Sequence, residues 1–130
     1  MRRFIPVEEW QDPRHQRGMA GERVALAFLT SCGWQVEAHR FRLGRHDVDL
    51  IVTRASVVAF VEVKTRASDA FGSPLEAVNW EKRRSIARVA EVWRLRHGRP
   101  ADEYRFDLVT VMRGSGGLVV DHVEDAWRLR

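Results

Sequence analysis

Two β-type runs with a three-residue gap constrain this chain more than any other feature. The runs 47–53 (DVDLIVT) and 57–66 (VVAFVEVKTR) are rich in valine and isoleucine, and only Arg54, Ala55 and Ser56 separate them. That pattern predicts an antiparallel hairpin. Residues two apart on a strand share a face. Val57, Ala59, Val61 and Val63 therefore point one way, and Val58, Phe60, Glu62 and Lys64 the other. The second face begins apolar and ends in a carboxylate and an ammonium. The hairpin also sets Asp49 roughly opposite Glu62. Two neighbouring carboxylates raise each other's pKa unless a cation joins them. A hard divalent ion bound through carboxylate oxygens is the usual remedy. Asp49, Glu62 and Lys64 thus read as a metal site with a lysine beside it, which is the chemistry of phosphodiester hydrolysis. A cross-strand cluster of surface ion pairs would use the same residue types.

The rest of the chain supplies the layers that such a hairpin needs. Ala20, Val24, Ala25, Phe28 and Leu29 recur at three- and four-residue spacings and predict a helix over 16–32, with Gly33 as its C-cap. Strands are expected over 34–43, 104–112 and 118–123. An amphipathic helix is expected over 75–97, with the stripe Ile86, Val89, Ala90 and Trp93, stopped by Gly98 and Pro100. The order α-β-β-β-α-β-β predicts an α/β fold: a mixed central sheet with a helix on each face. Residues 1–14, with Pro6 and Pro13, read as a flexible N-terminal arm. Residues 15–130 read as a single domain.

A formal net charge of +4 and a sequence pI near 10.2 favour an anionic partner. Of the 22 basic residues only Lys64 and Lys82 are lysine. An ammonium is a compact point charge whose pKa shifts with its surroundings, whereas a guanidinium is a planar, permanently charged fork. A lysine at 64, in a chain that otherwise uses arginine, marks the ammonium itself as useful there. Cys32 is the sole cysteine, which excludes an intramolecular disulfide and a cysteine-based zinc site. The first residues carry arginines with no apolar run behind them, and no segment has the length and apolarity of a membrane span. A cytoplasmic protein is the expectation. The five histidines are scattered without ligand-like spacing, and only His46 adjoins the acidic strand.

Aspartate on one strand and Glu-x-Lys on the next, within this element order, resemble the PD-(D/E)XK nuclease superfamily. The longer run is similar to the YraN family, small bacterial proteins that resemble Holliday-junction resolvases. The residues carrying the likeness are Gly18-x-x-Gly21-Glu22 with Ala25, Arg42, Asp47 to Ile51 and Phe60 to Arg66. Phe71-Gly72, Ala77-Val78, Lys82 and Arg105-Phe106-Asp107 continue it. Two positions depart: the family has Gly-Glu where this chain has His46-Asp47, and tends to asparagine at Arg40.

The resemblance implies a Mg²⁺- or Mn²⁺-dependent nuclease with catalytic Asp49, Glu62 and Lys64. It adds Glu22 and the carbonyl of Val63 to Asp49 and Glu62 as metal ligands. Arg42, Arg45, Thr65, Arg66, Arg83, Arg84 and Arg88 are the candidate contacts to a nucleic-acid backbone, DNA before RNA. A homodimer would suit a branched substrate. The alternatives are a non-catalytic nucleic-acid-binding module of the same fold, or a basic surface for an acidic protein. Asp107, set among apolar neighbours, reads as the partner of a core arginine.

Overall fold

Alternating apolar residues on five strands give a sheet with two faces to bury, and one helix covers each. The computed structural model describes residues 13–66, 78–114 and 116–128. Its elements are α1 (Pro13–Ser31), β1 (Gln35–Leu43), β2 (His46–Arg54), β3 (Val57–Arg66), α2 (Trp80–His97), β4 (Glu103–Gly114) and β5 (Gly117–Trp127). The strands lie side by side in chain order, antiparallel except for β3 and β4, which run parallel across the α2 crossover. This is the α/β architecture with a mixed sheet that the element order predicts, and it is consistent with a PD-(D/E)XK-like core. Among the described residues no helix is long and apolar enough to cross a membrane. Most of the expected arm, residues 1–12, lies outside the described residues, as do Phe71, Gly72 and the expected first residues of the second helix, 75–77.

The two helices take the two faces that the alternation of β3 defines. Ala25 and Leu29 of α1 pack with Leu50, Val52, Ala59, Val61, Val109 and Val111. Ile86, Val89, Ala90 and Trp93 of α2, the predicted stripe, pack with Val58, Phe60 and Leu108. Gly33 takes φ +91 where α1 ends, and the N–H of Trp34 returns to the carbonyl of Leu29 at 3.0 Å. Trp34 is buried just before β1, not within it. The second helix starts later than its apolar pattern suggests. Asn79 adopts an extended backbone and its side chain accepts the N–H of Lys82, so the N-cap places the first helical residue at Trp80. Trp34, Trp93 and Trp127 are core residues. Trp80 is not, at 57% exposed.

Gly21 sets how closely α1 approaches the sheet. A Cβ there would collide with Oγ1 of Thr65 on β3, so only a glycine lets this turn of helix lie against the strand. Thr65, expected as a nucleic-acid contact, is exposed but has this packing role as well.

Asp107 organises the far edge. It is fully buried and binds Arg105 through two bonds, Nε to Oδ1 at 3.0 Å and Nη2 to Oδ2 at 2.8 Å. It also binds His122 at 2.7 Å and the N–H of Asp125 at 2.9 Å. The register of β5 on β4 shifts between Phe106 and Leu108, and Asp125 has φ +51 there. The carboxylate fastens this bulge, which carries β5 on to Trp127, beyond the strand end expected at Val123.

Gly21→Ala should destabilise the fold by about 1–3 kcal/mol through overpacking, although alanine is the better helix former. Thr65→Ala in the same chain should recover part of the loss, and chemical denaturation of the single and double variants measures it. Burial alone would raise the pKa of Asp107; its bonds from His122, Arg105 and Asp125 outweigh that and hold it below the usual value. Its stabilising contribution is therefore complete above the unfolded carboxylate pKa, near 3.9. It is lost as pH falls through the lowered folded value. Asp107→Asn should lose about 3 kcal/mol at neutral pH, with a shallower loss of stability on acidification.

Candidate active site

The site forms where the β2–β3 ladder stops. Backbone pairing runs from Arg54↔Val57 to Leu50↔Val61, and the next facing residues are Asp49 and Glu62. Their carboxylates replace the ladder: the N–H of Asp49 donates to Oε1 of Glu62 at 3.3 Å, and the N–H of Val63 to Oδ2 of Asp49 at 2.8 Å. A strand residue directs its N–H and C=O to the same side in such pairing, so the carbonyl of Val63 belongs to this gap too.

The strands lose their alternation at this level. Val48 packs under α2 whereas Leu50, two residues on, packs under α1, so β2 reverses its faces at Asp49. Across on β1, Arg40 sits between the pairs His39↔Leu50 and Phe41↔Val48 and has φ +50. Asparagine tolerates that left-handed backbone better than arginine does. Arg40 here contributes its guanidinium instead. It binds Glu22 of α1 through Nε at 3.2 Å and Nη2 at 2.9 Å, and His39 Nε2 lies 2.8 Å from the same carboxylate.

Burial and mutual repulsion govern the acidic pair. Glu62 is 2% exposed. Its pKa is pushed up to about 8, by burial first and by the charge of Asp49 second, against the pull of Lys82 and Lys64. Burial, then the charge of Glu22, raises Asp49 to about 6, against the N–H of Val63 and the charges of Lys82 and Arg40. These are carboxylates held short of the positive charge they need. Lys64 shares the α2 face of β3 with Glu62, as the alternation predicts, and its ammonium acts on Glu62.

Glu22 lies 5% exposed beside this pair, with both oxygens engaged by His39 and Arg40. Its charge reaches Asp49, but among the described residues no three His, Cys, Asp or Glu side chains converge on one point. Asp49 and Glu62 remain as the close acidic pair, with the Val63 N–H bonded to Asp49.

Lys82 is a site residue that the hairpin pattern missed. Its Nζ binds Oδ1 of Asp47 at 2.7 Å and the Asp47 carbonyl at 3.3 Å, and its charge acts on both Glu62 and Asp49. The available signal was its rarity, since it is one of two lysines in the chain. His46 Nδ1 meets Ser85 Oγ of α2 at 2.8 Å, so His46 ties β2 to that helix.

The basic residues divide. Arg45, Arg84 and Arg88 are exposed and line, with His46, Lys82 and Ser85, an open cleft of about 870 Å³, which Lys82 links electrostatically to the acidic pair. Arg42 is exposed on β1, and Arg66 is half-buried at the end of β3. Arg83 does not share their helix face. It donates from Nε to the carbonyl of Val78 at 2.8 Å and lies 5.6 Å over the Trp127 ring, which reads as packing under the sheet.

A mixed five-stranded sheet between two helices, with Asp and Glu-x-Lys at the parting of two strands, defines a protein with a PD-(D/E)XK-like core. The family model described as Uncharacterised protein family UPF0102 matches residues 21–111, and the chain belongs to that family, the YraN family of the sequence resemblance. It is 40% identical over 108 residues to a UPF0102 protein of Nocardia farcinica, covering 82% of this chain and 85% of the relative. It is 39% identical over 111 residues to one of Rhodococcus jostii, covering 85% and 94%. A UPF0102 protein of Chlorobium phaeobacteroides is 33% identical over 123 residues, covering 90% and 96%.

An acid whose folded pKa is raised favours folding below its unfolded pKa and loses that contribution as pH rises through the folded value, here near 8 for Glu62. Glu62→Gln should therefore stabilise the metal-free protein at pH 8 by about 1–3 kcal/mol, with little effect at pH 5. Thermal unfolding in chelator at the two pH values tests this.

Proposed function

We propose that this chain is a Mg²⁺- or Mn²⁺-dependent nuclease that hydrolyses phosphodiester bonds in DNA, with branched DNA the substrate shape its resemblance favours. The observation that carries the reading is the pairing of half-buried Asp49 with buried Glu62, with Lys64 two residues on. Both acids sit above their usual pKa values without a cation, and their oxygens with the carbonyl of Val63 form a hard donor set that suits magnesium or manganese. Glu22 adds negative charge behind Asp49, and joins as a ligand only by exchanging His39 and Arg40. Such an ion supplies positive charge against the phosphate and makes a water more acidic. Lys64 orients the attacking water and offsets charge that grows on the phosphorane-like transition state. Arg42, Arg45, Thr65, Arg66, Arg84 and Arg88 track the backbone without reading sequence. Arg83 acts through the packing around Trp127. One domain of this size offers little surface for a junction, and a homodimer would supply two such sites related by symmetry.

A specific observation supports a second reading, a nucleic-acid-binding module that retains the fold without turnover: Glu22 is held by His39 and Arg40, and among the described residues no three acidic or metal-ligating side chains converge. The readings separate in a cleavage assay on labelled junction, flap, duplex and single-stranded DNA with Mg²⁺ or Mn²⁺. Wild type should cleave, and Lys64→Ala should lose about 100-fold or more in turnover while still binding. Asp49→Asn should weaken Mn²⁺ binding in calorimetry by at least about tenfold. Binding without cleavage by wild type would favour the module.

A further inference from the structure

Lys82 stands at a junction that no other described residue occupies. It lines the arginine-rich cleft and also acts on both carboxylates of the proposed active site. Its backbone is fixed by the Asn79 cap at the start of α2, and its ammonium by the side chain and carbonyl of Asp47. An ammonium has three N–H donors, and Asp47 takes two directions. The side chain is 30% exposed, so the remaining donor is within reach of a ligand in the cleft. Arg84 and Arg88 follow one helical turn apart on the same wall, and Arg45 stands opposite on the β1–β2 turn. Glu81 is the one acid among the lining residues. Four cations around an open cleft fit a polyanion whose charges repeat at short intervals.

We propose that Lys82 grips a backbone phosphate of the substrate strand at the mouth of the carboxylate site, with Asp47 as its positioning residue. The strand then lies along the cleft between the β1–β2 turn and α2. This rests on the nuclease reading for its substrate class. A counter-ion alone would explain why Asp47, Asp49 and Glu62 are tolerated together, but it would not require the ammonium to face a basic cleft. The assignment also accounts for a lysine here, in a chain whose only other lysine is Lys64. A rotatable point charge can hold Asp47 and a phosphate at once, where a planar fork would be committed to one of them.

The test is fluorescence anisotropy of a labelled single strand of about 16 nucleotides, in chelator, between about 50 and 200 mM salt. Lys82→Gln removes the charge and keeps a polar N–H donor, on a side chain one atom shorter. It should bind several-fold more weakly, with a salt slope shallower by about one phosphate contact. Lys82→Arg should restore at most part of the slope, because its planar fork is committed to Asp47 or to the phosphate and not to both. Asp47→Asn should keep the wild-type slope, since the ammonium remains, yet lower turnover of the metal-loaded protein. Arg96→Gln, on the exposed far end of α2, controls for general loss of charge. Wild-type affinity and slope in a folded Lys82→Gln would overturn the proposal, as would failure of the wild-type protein to bind the strand. Failure of the nuclease reading looks different: wild type binds, Lys82→Gln binds more weakly, and neither cleaves with metal. In that case the phosphate grip stands and the chemistry does not.

Discussion

The substitution of side-chain carboxylates for a backbone ladder, just beyond Leu50↔Val61, is the interaction on which the rest of the site depends. Below that level β2 and β3 pair through their main chains, and above it Asp49 and Glu62 exchange bonds with backbone N–H groups. Each acid is therefore oriented by the partner strand as well as its own. The N–H groups of Asp49 and Val63, released by the parting strands, stay satisfied. Departure from ideal strand geometry at this level, with β2 reversing its faces at Asp49 and β1 at a left-handed Arg40, delivers the two carboxylates to one place.

Placing several acids together sets an electrostatic problem that the fold answers from both faces. On the α1 side, His39 and Arg40 hold Glu22. On the α2 side, Lys82 holds Asp47 and lends its charge to Glu62 and Asp49. The acidic pair still keeps raised pKa values, so the compensation is incomplete. The contrast with Asp107 is instructive. That carboxylate is also buried, yet its four bonds hold its pKa below the usual value. One acidic centre is held by four bonds and serves the fold; the other keeps its carboxylates at raised pKa values, close to the lysine that lines a basic cleft. Such local conflict is expected where structure yields to function.

Much of this was legible in the chain. The alternation of β3 assigned Glu62 and Lys64 to the α2 face, and the short gap at Arg54-Ala55-Ser56 paired Asp49 with Glu62. The stripe of α2 and the glycine that ends α1 were also readable, because each depends on neighbours within a turn or two. The pairing of Asp107 with an arginine followed from one acid among apolar neighbours. The start of α2 was misread because an apolar pattern carries no sign of the Asn79 cap. Arg83 was misgrouped with Arg84 and Arg88 because charge alone does not say which face of a helix packs. The exposure of Trp80 and the bulge that lengthens β5 lay beyond the pattern for the same reason.

The sequence by itself determined the element order, the two apolar faces of the sheet and the hairpin that opposes Asp49 to Glu62. All of these follow from periodicity and turn length, which act over a few residues. Only the tertiary structure decided that Glu22, His39 and Arg40 form one cluster behind Asp49. It likewise decided that Lys82, distant in the chain, closes on Asp47, and that Arg45 faces Arg84 and Arg88 across a cleft. These meetings depend on how closely α1 can approach β3 at Gly21, and on where a bulge or a helix cap turns the chain. Small changes in packing move charged groups by whole residues, and no local pattern records them.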